Sequence, residues 1–450
     1  MSNIPVARLD FETRSACSLR NCGSWRYSLD ASTEVLCAAF RLPTWKEGET
    51  GLWHPAFPEQ GIKERIDDLA PLFRWVMDGG LIEAHNAWFE RGIWTNQLSH
   101  WPTIHPSQWR CSAAKAAAHA LPRNLRDAAA ALDLGIRKDD AALRKALDLE
   151  GESTRVMTKM SQPRKPNKSD RYEWGILFTP CKACLISGKV DGINPDTGRA
   201  KKQECSKCKG LGYTPGKRVP QMPLLWHESR ELLRELFEYC RGDVLAEEAL
   251  SQELPDLSVE ETNIYILDQV INERGFQLDP EAIEAAEILI DHECKELNAE
   301  LWQLTGGVVS KATQRAQMMT WLETEGLKLD DTRKETLDEI LEIDPAADNA
   351  PWVKAPSPKA RRAIELMRAL GRSSTAKYRK MRDWVCPDWR VRGGLLYHGA
   401  GTGRWSGAGI QPHNFPKPSL YYTDSKGKPN PVSQEEVWDV LTWSAKSTET

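Results

Sequence analysis

Acidic residues near the N-terminus have the spacing of a site for a divalent cation. Asp10 and Glu12 lie at the end of a short apolar run that covers residues 6–12. Because alternate residues of a strand point to the same face, a strand here places the two carboxylates side by side. The two negative charges repel each other unless a cation lies between them, as in sites for hard divalent ions. A D-x-E pattern is common, however, and a solvated strand end is the alternative explanation.

Two further patterns pair an acidic residue with a residue four positions earlier. Asn86 and Glu90 lie at a predicted strand–helix junction, where Asn86 also suits a helix cap and Glu90 suits the helix dipole. Tyr239 and Asp243 share one face of a predicted helix, and an ordinary amphipathic helix is the alternative there. Each pattern is weak alone. The order D-x-E, N-x-x-x-E and Y-x-x-x-D favours one shared site.

The elements that must position these residues follow from hydrophobic periodicity and from breaks at Pro and Gly. Residues 5–45 are predicted to form strands and turns, and alternating helices and strands follow. The patterns predict strands over 6–12, 35–42 and 81–86, and helices over 71–77, 112–134 (punctuated by Pro122), 224–250, 281–305 and 360–370. This alternation predicts a mixed α/β domain, followed by a mainly helical region.

The three acidic patterns, taken in order, resemble the exonuclease motifs of the DEDDy 3′–5′ exonucleases. Neighbouring runs resemble the phage-type branch of the family A DNA polymerases. These runs are DFETRS from Asp10, AHNAxFER from Ala84, LPxxL from Leu121, MxKMSxPRK from Met157 and YCxxDV from Tyr239. The resemblance implies an RNase H-like fold that removes nucleotides from the 3′ end of DNA with two Mg²⁺ or Mn²⁺ ions.

The resemblance also implies a role for each residue of the acidic patterns. Asp10 bridges both ions, Glu12 and Asp243 complete the site of the first ion, and Glu90 reaches the second. Tyr239 orients the attacking water, and Asn86 contacts the DNA. The sequence departs from the wider family at Glu90, where Asp is usual. The longer side chain of Glu90 is still expected to reach the second ion.

Paired cysteines indicate a second metal site, which differs from the first in its ligands. Two C-x-x-C units, separated by twenty residues, offer four thiolates to one ion, and this number and spacing suit structural zinc. The four predicted ligands are Cys181, Cys184, Cys205 and Cys208. Unpaired thiols or a redox pair are the alternatives. Basic residues of this insertion suit either a phosphate-contacting arm or a solvated loop: Lys189, Lys201, Lys202, Lys207, Lys209, Lys217 and Arg218.

The C-terminal third resembles the start of the polymerase region of the same family. Residues 268–279 resemble its opening segment, and residues 371–378 resemble the thumb, with Lys377 facing the duplex backbone. The run TGR ending at Arg404, with Gln411 and Asn414 after it, resembles the motif that contacts the primer–template. Small residues flank Lys377 and Arg404, so a phosphate can approach them, although a surface cation in a turn is the alternative.

The family's palm carboxylates and fingers helix have no match after Arg404, so this chain alone is not expected to polymerise DNA. The predicted organisation is an exonuclease domain over 1–254 with a zinc-binding insertion near 163–220, a thumb-like region over 255–385, and the start of a palm over 386–450. Three hypotheses remain: an exonuclease that needs a second chain carrying the palm and fingers, an autonomous exonuclease, and a non-catalytic DNA-binding or assembly subunit.

Composition limits the remaining function classes. The 450 residues include 28% charged and 40% hydrophobic residues, and their net charge of −4 argues neither for nor against nucleic acid. No apolar run of membrane-spanning length and no secretory signal is apparent, so the thiols are expected to be reduced. The expected location is the cytoplasm, which is that of a bacterial host if the origin is a phage.

Overall fold

The computed structural model describes most of the chain. The described residues are 4–66, 68–134, 160–165, 173–180, 189–193, 200–207, 209, 213–221, 224–343, 355–371, 373–415, 421–423, 428–433, 437–439, 441 and 444. Within these residues the protein is a mixed α/β structure, as the sequence predicts. No helix among them has the length and apolar composition needed to cross a bilayer.

A five-stranded mixed sheet lies at the centre of the N-terminal half. Its strands are β1 (Val6–Arg14), β2 (Glu34–Arg41), β3 (Gly51–Trp53), β4 (Leu81–Ala84) and β5 (Trp109–Cys111). The order across the sheet is β3-β2-β1-β4-β5; β2 runs antiparallel to β1 and β3, whereas β4 runs parallel to β1 and β5. The predicted strands over 6–12 and 35–42 are therefore confirmed, and β1 holds the central position. The strand predicted over 81–86 is present but ends at Ala84, and residues 85–87 form a turn.

Helices cover both faces of this sheet. They are α1 (Leu19–Ser28), α2 (Leu69–Met77), α3 (Trp88–Asn96), α4 (Ser112–Ala118), α5 (Leu125–Ala131) and α6 (Arg230–Glu253). Leu9 and Phe11 of β1 pack into a core with α2 and α3. Residues of the opposite face, including Leu36 and Ala39 of β2, pack against α6. Because side chains alternate along a strand, Asp10 and Glu12 face α6.

Two predictions for the helices of this region need correction. Residues 5–45 were expected to form strands and turns, but α1 lies among them. Gly23 interrupts this helix with non-helical angles (φ 75°, ψ 161°). The short helical pieces on either side of Gly23 carry no regular helical pattern in the sequence. The expected helix over 112–134 is two helices. Pro122 lies in the break because it lacks a backbone donor, and the Asn124 side chain caps α5 by accepting from the amides of Arg126 and Asp127.

The insertion between α5 and α6 contains two antiparallel strand pairs. β6 (Glu173–Pro180) pairs with β9 (Tyr213–Gln221), and β7 (Lys189–Ile193) pairs with β8 (Ala200–Glu204). Along the sequence, the β7–β8 pair lies between β6 and β9. The chain continues from β9 to α6.

The C-terminal half is mainly helical. Its helices are α7 (Val259–Arg274), α8 (Pro280–Leu304), α9 (Arg315–Thr324), α10 (Lys334–Glu342), α11 (Pro358–Leu370) and α12 (Ser373–Trp384). Helices α8 to α11 share a separate hydrophobic core. Short strand pairs accompany these helices. β10 (Phe276–Gln277) lies between α7 and α8 and pairs with β11 (Arg390–Val391). After α12, β12 (Leu395–Leu396) pairs with β13 (Ser406–Gly407), and β14 (Tyr421–Thr423) pairs with β15 (Pro429–Pro431).

Candidate active site

Three of the predicted acidic residues lie close together where α6 packs against β1. Oxygen atoms of Asp10, Glu12 and Asp243 all lie within 4.8 Å of one another. Glu12 and Asp243 are buried, whereas Asp10 is half-buried. Three carboxylates at this distance repel one another strongly in a poorly solvated place, and a cation among them removes this cost. The structure thus brings together residues that are more than 230 positions apart in the sequence.

The α6 helix holds Asp243 against the sheet through an apolar face. Leu233, Leu236 and Val244 of this helix are fully buried in the core shared with β2. Between them, the Cys240 thiol lies 3.4 Å from both the backbone oxygen and Oδ2 of Asp10. Burial raises the pKa of the Cys240 thiol well above its usual range, so it remains a neutral donor to Asp10. Tyr239, one turn before Asp243, packs against the same core.

Glu90 is the fourth predicted acid and lies in the first turn of α3. Its side chain is 4% exposed, and among the described residues its Oε2 atom has no hydrogen-bond partner. Burial, reinforced by the negative charge of Asp10, raises the pKa of Glu90 well above its usual range. A buried carboxylate oxygen without a partner is costly, and it is expected where a ligand is to be bound.

Asn86 does not cap the helix that follows it. The N-cap position of α3 is Ala87, and no described side chain caps this end. Asn86 is exposed and adopts a left-handed conformation (φ 72°), which Asn tolerates better than most residues. It lines an open cavity of about 310 Å³ together with His85, Arg123 and Arg126, among others. Asn86 is therefore available to a ligand in this cavity.

Glu247 is a buried acid near this site that the sequence patterns did not single out. It lies one helical turn after Asp243 and is 1% exposed. Burial and the charge of Glu83 raise the pKa of Glu247 well above its usual range. The available sequence signal was its i+4 spacing from Asp243, which places both on one side of α6. Its interpretation required the partner, Ser112, which is 135 positions away.

The predicted zinc ligands lie mostly outside the described residues. Of the four, only Cys205 is described; it is buried directly after β8. Cys181, Cys184 and Cys208 lie outside the described part. The zinc site therefore remains a prediction from the sequence.

Three of the four C-terminal residues predicted to contact DNA lie together. The Lys377 ammonium donates to the backbone oxygen of Asn414 at 3.0 Å and lies 4.5 Å from the ring centroid of Phe415. The Asn414 side chain donates to Oε1 of Gln411 at 2.9 Å. Arg404 is exposed in a separate turn, closed by a backbone hydrogen bond from Ala400 to its carbonyl. The four residues present polar and cationic groups at the surface.

Comparison with known proteins relates this chain to DNA polymerases. It is 26% identical over 428 residues to a DNA polymerase of Bacillus phage SP02; the match covers 93% of this chain and 52% of the relative. The chain thus spans about half the length of this curated relative. A solved structure of the POL domain of Pol1 from M. smegmatis, in complex with DNA primer-template and dNTP, matches with a TM-score of 0.41 and 11% identity, over 91% of this chain and 53% of that one. No protein-family model matches the sequence.

Proposed function

We propose that this chain is a metal-dependent 3′–5′ DNA exonuclease that acts as part of a DNA-polymerase-related protein. The observation that carries the proposal is the meeting of Asp10, Glu12 and Asp243 oxygens within 4.8 Å. Carboxylates grouped in this way are the usual protein ligands of the cations that catalyse phosphodiester hydrolysis. The strand order β3-β2-β1-β4-β5, with β2 antiparallel to β1, supports an RNase H-like interpretation of this domain.

The residues present fit divalent cations of the magnesium type. The donors are all carboxylate oxygens, which suit Mg²⁺ or Mn²⁺ rather than softer metals. Asp10, Glu12 and Asp243 would hold one ion, and Glu90, whose Oε2 lacks a partner among the described residues, would help Asp10 to hold a second. When bound, such ions lower the pKa of an attacking water and stabilise the leaving oxygen of the phosphodiester.

The other residues of the site are assigned to holding the DNA end and the attacking water. Tyr239 lies one turn before Asp243, so its hydroxyl is proposed to orient that water. Asn86, Arg123 and Arg126 line the open cavity and are proposed to hold the terminal nucleotides. An amide and two guanidinium groups suit phosphate and sugar oxygens.

The similarity to a phage DNA polymerase supports a role in DNA replication. We propose that Lys377, Arg404, Gln411 and Asn414 contact the primer–template, so that the exonuclease proofreads the growing strand. The divisions near residues 254 and 385, the zinc ion of the insertion, and a second chain with palm and fingers remain predictions of the sequence.

The test is a degradation assay on the purified chain. DNA labelled at its 5′ end, either single-stranded or as primer–template, is incubated with Mg²⁺ or Mn²⁺, beside an Asp10→Ala, Glu12→Ala variant. The proposal predicts products that shorten from the 3′ end, absent in the variant and in chelator. If neither substrate is degraded, while the chain still binds primer–template, the chain is a DNA-binding subunit instead.

A further inference from the structure

A buried chain of hydrogen bonds runs beside the candidate site without including any of its predicted ligands. The Ser112 hydroxyl, at the start of α4, is 2.8 Å from Oε1 of Glu247 on α6. The same hydroxyl is 2.9 Å from Nδ1 of His85, which directly follows β4. On its other side, Nε2 of His85 is 2.8 Å from the backbone oxygen of Arg123. Four separate segments are joined by these three bonds.

The order of donors in this chain is restricted. The Arg123 oxygen only accepts, so Nε2 of His85 carries a hydrogen and donates it. Ser112 has one hydroxyl hydrogen to share between two neighbours, so all three bonds form when one more proton lies on His85 or on Glu247. Ser112 is fully buried and Glu247 nearly so, which makes a missing bond costly. The chain is therefore a fixed structural link.

The link joins the two segments that carry acids of the candidate site. His85 is adjacent to Asn86, and the turn at Asn86 leads into the first turn of α3, where Glu90 lies. Glu247 lies one turn after Asp243 on α6. The carbonyl of Arg123 belongs to the loop that lines the cavity beside Asn86. Without the link, α3 and α6 rely on general packing to fix the position of Glu90 relative to Asp243.

The same link reaches the C-terminal half. Arg123 accepts from His85 through its backbone oxygen and donates through Nη1 to the backbone oxygen of Tyr397 at 2.7 Å. Tyr397 lies seven residues before Arg404, in the run that resembles the primer–template motif. Its ring packs edge-on against Tyr265 of α7. One connected set of bonds thus extends from α6 to the C-terminal segment.

We propose that Glu247, Ser112 and His85 are positioning residues of the exonuclease site. They hold the Asn86–Glu90 turn at a fixed place relative to Asp243, and through Arg123 they fix the wall of the cavity for the DNA end. This inference rests on the proposed exonuclease function. Small displacements of catalytic groups cost large factors in rate, so the effect falls on kcat more than on KM.

The decisive variants break the link or restore it in another form. Ser112→Ala removes two bonds at once and is expected to lower kcat about tenfold to a hundredfold at saturating Mg²⁺, with KM changed less than about threefold. Glu247→Gln offers an amide N–H to Ser112, which then donates to His85, so all three bonds survive and kcat stays within about threefold of the wild type.

A matched control separates positioning from lost stability. Ser28 is fully buried on α1, accepts from Nδ2 of Asn96 and donates to the Trp25 backbone oxygen, each at 2.8 Å. Ser28→Ala removes the same chemical group away from the link, so it is expected to shift the unfolding midpoint without lowering kcat. If Ser112→Ala leaves kcat unchanged, or if Glu247→Gln lowers it as much as Ser112→Ala does, the inference is wrong.

Hydrogen exchange tests the link independently of catalysis. Amides of residues 85–90 are expected to exchange about tenfold faster in Ser112→Ala than in the wild type, and at the wild-type rate in Glu247→Gln and Ser28→Ala. Unchanged exchange in Ser112→Ala overturns the positioning role. If the wild type does not degrade DNA but the exchange pattern appears, the exonuclease proposal fails, and only the structural link between α6 and the Asn86–Glu90 turn is supported.

Discussion

The two regions with predicted functional residues differ in how they present charge. In the N-terminal region, Glu12, Glu90 and Asp243 are each less than a tenth exposed and lie among packed strands and helices. In the C-terminal segment, Arg404 is exposed between the two-residue strands β12 and β13, and Asn414 is exposed at the end of a single 3-10 turn (Pro412–Asn414). Buried carboxylates suit cations at fixed positions, whereas exposed cations suit a mobile polyanion. The difference supports the proposed division, with hydrolysis in the first region and DNA binding in the second.

The positions of the two sets in the fold agree with this division. Asp10 and Glu12 lie on the central strand of the five-stranded sheet, where they pair with β2 directly after the part of β1 that pairs with β4. Gln411 lies outside the strands, at a left-handed position (φ 49°). A central strand allows little displacement, and hydrolysis requires catalytic groups at fixed positions. A surface turn can instead adapt to a DNA backbone of variable sequence.

Neutralising Asp10 is expected to lower exonuclease activity far more than DNA binding. Asp10→Asn removes one negative charge from the site, where cation binding contributes several kcal/mol to the reaction, so exonuclease activity should fall about a hundredfold or more. Primer–template affinity should change less than about threefold, because Asp10 belongs to the acidic cluster and not to the exposed groups proposed to contact DNA. Gel-based degradation and fluorescence anisotropy measure the two quantities. An equal loss of both would contradict the division of roles.

Disturbing the close contact between α1 and α12 is expected to lower the stability of the protein. Gly23 in α1 has φ 75° and ψ 161°, a conformation nearly restricted to glycine, and an added Cβ would lie 3.1 Å from the Trp384 ring of α12. Gly23→Ala is expected to lower the free energy of unfolding by about 1–3 kcal/mol. Gly242→Ala is the control: Gly242 has helical geometry and open space, so it should gain about 0.5–1 kcal/mol. Urea unfolding measures both, and equal stability of the two variants would contradict this contact.

Removal of the C-terminal cations Lys377 and Arg404 is expected to weaken the binding of DNA. Lys377→Ala with Arg404→Ala is expected to weaken duplex binding about tenfold. The slope of log affinity against log salt should become shallower by about 2, since about 0.9 is lost for each phosphate contact. Arg362→Ala is the control for the loss of one cation, because Arg362 of α11 is paired with Glu300 of α8 and with Glu365 of its own helix. Salt titrations decide the matter: an unchanged slope in the double variant rejects the assignment.

Substitution of Glu90 by Gln is expected to change the stability of the protein only slightly, and the change depends on pH. Burial raises its pKa in the folded state, and the charges of Asp10 and Glu247 add to this, as does Cys111. Its folded pKa lies above the unfolded value, so its contribution to stability is complete below about pH 4.3 and is lost as pH rises through the folded pKa. In chelator at pH 8, Glu90→Gln should therefore be more stable than the wild type.

Cations should reverse this order, since they bind the wild-type carboxylate and not the amide. Urea unfolding at pH 5 and pH 8, with and without Mg²⁺, measures the effect. If Glu90→Gln is less stable than the wild type at pH 8 in chelator, the carboxylate is stabilised by the protein itself and the second ion site is wrong.

Several elements were predictable because their sequence carries a complete local signal. The strand over 6–12 has apolar residues on one face and its acids on the other, and α6 follows from periodicity between Leu233 and Leu250. By contrast, α1 was missed because Gly23 interrupts its pattern and contacts with α3 and α12 stabilise it. The split between α4 and α5 was only indicated by Pro122, because the alanine-rich sequence on either side favours helix.

The groups available for chemistry can be identified from local sequence patterns: an alternating strand with two acids, a strand–helix junction with Asn86 and Glu90, and a helix with Tyr239 and Asp243. These patterns are local, so spacing alone reveals them. The fold was needed to show that Glu90 lies buried with an oxygen that lacks a described partner, and that Glu247, Ser112 and His85 form one link. Burial and long-range hydrogen bonds depend on how distant segments pack, and no local pattern carries that information.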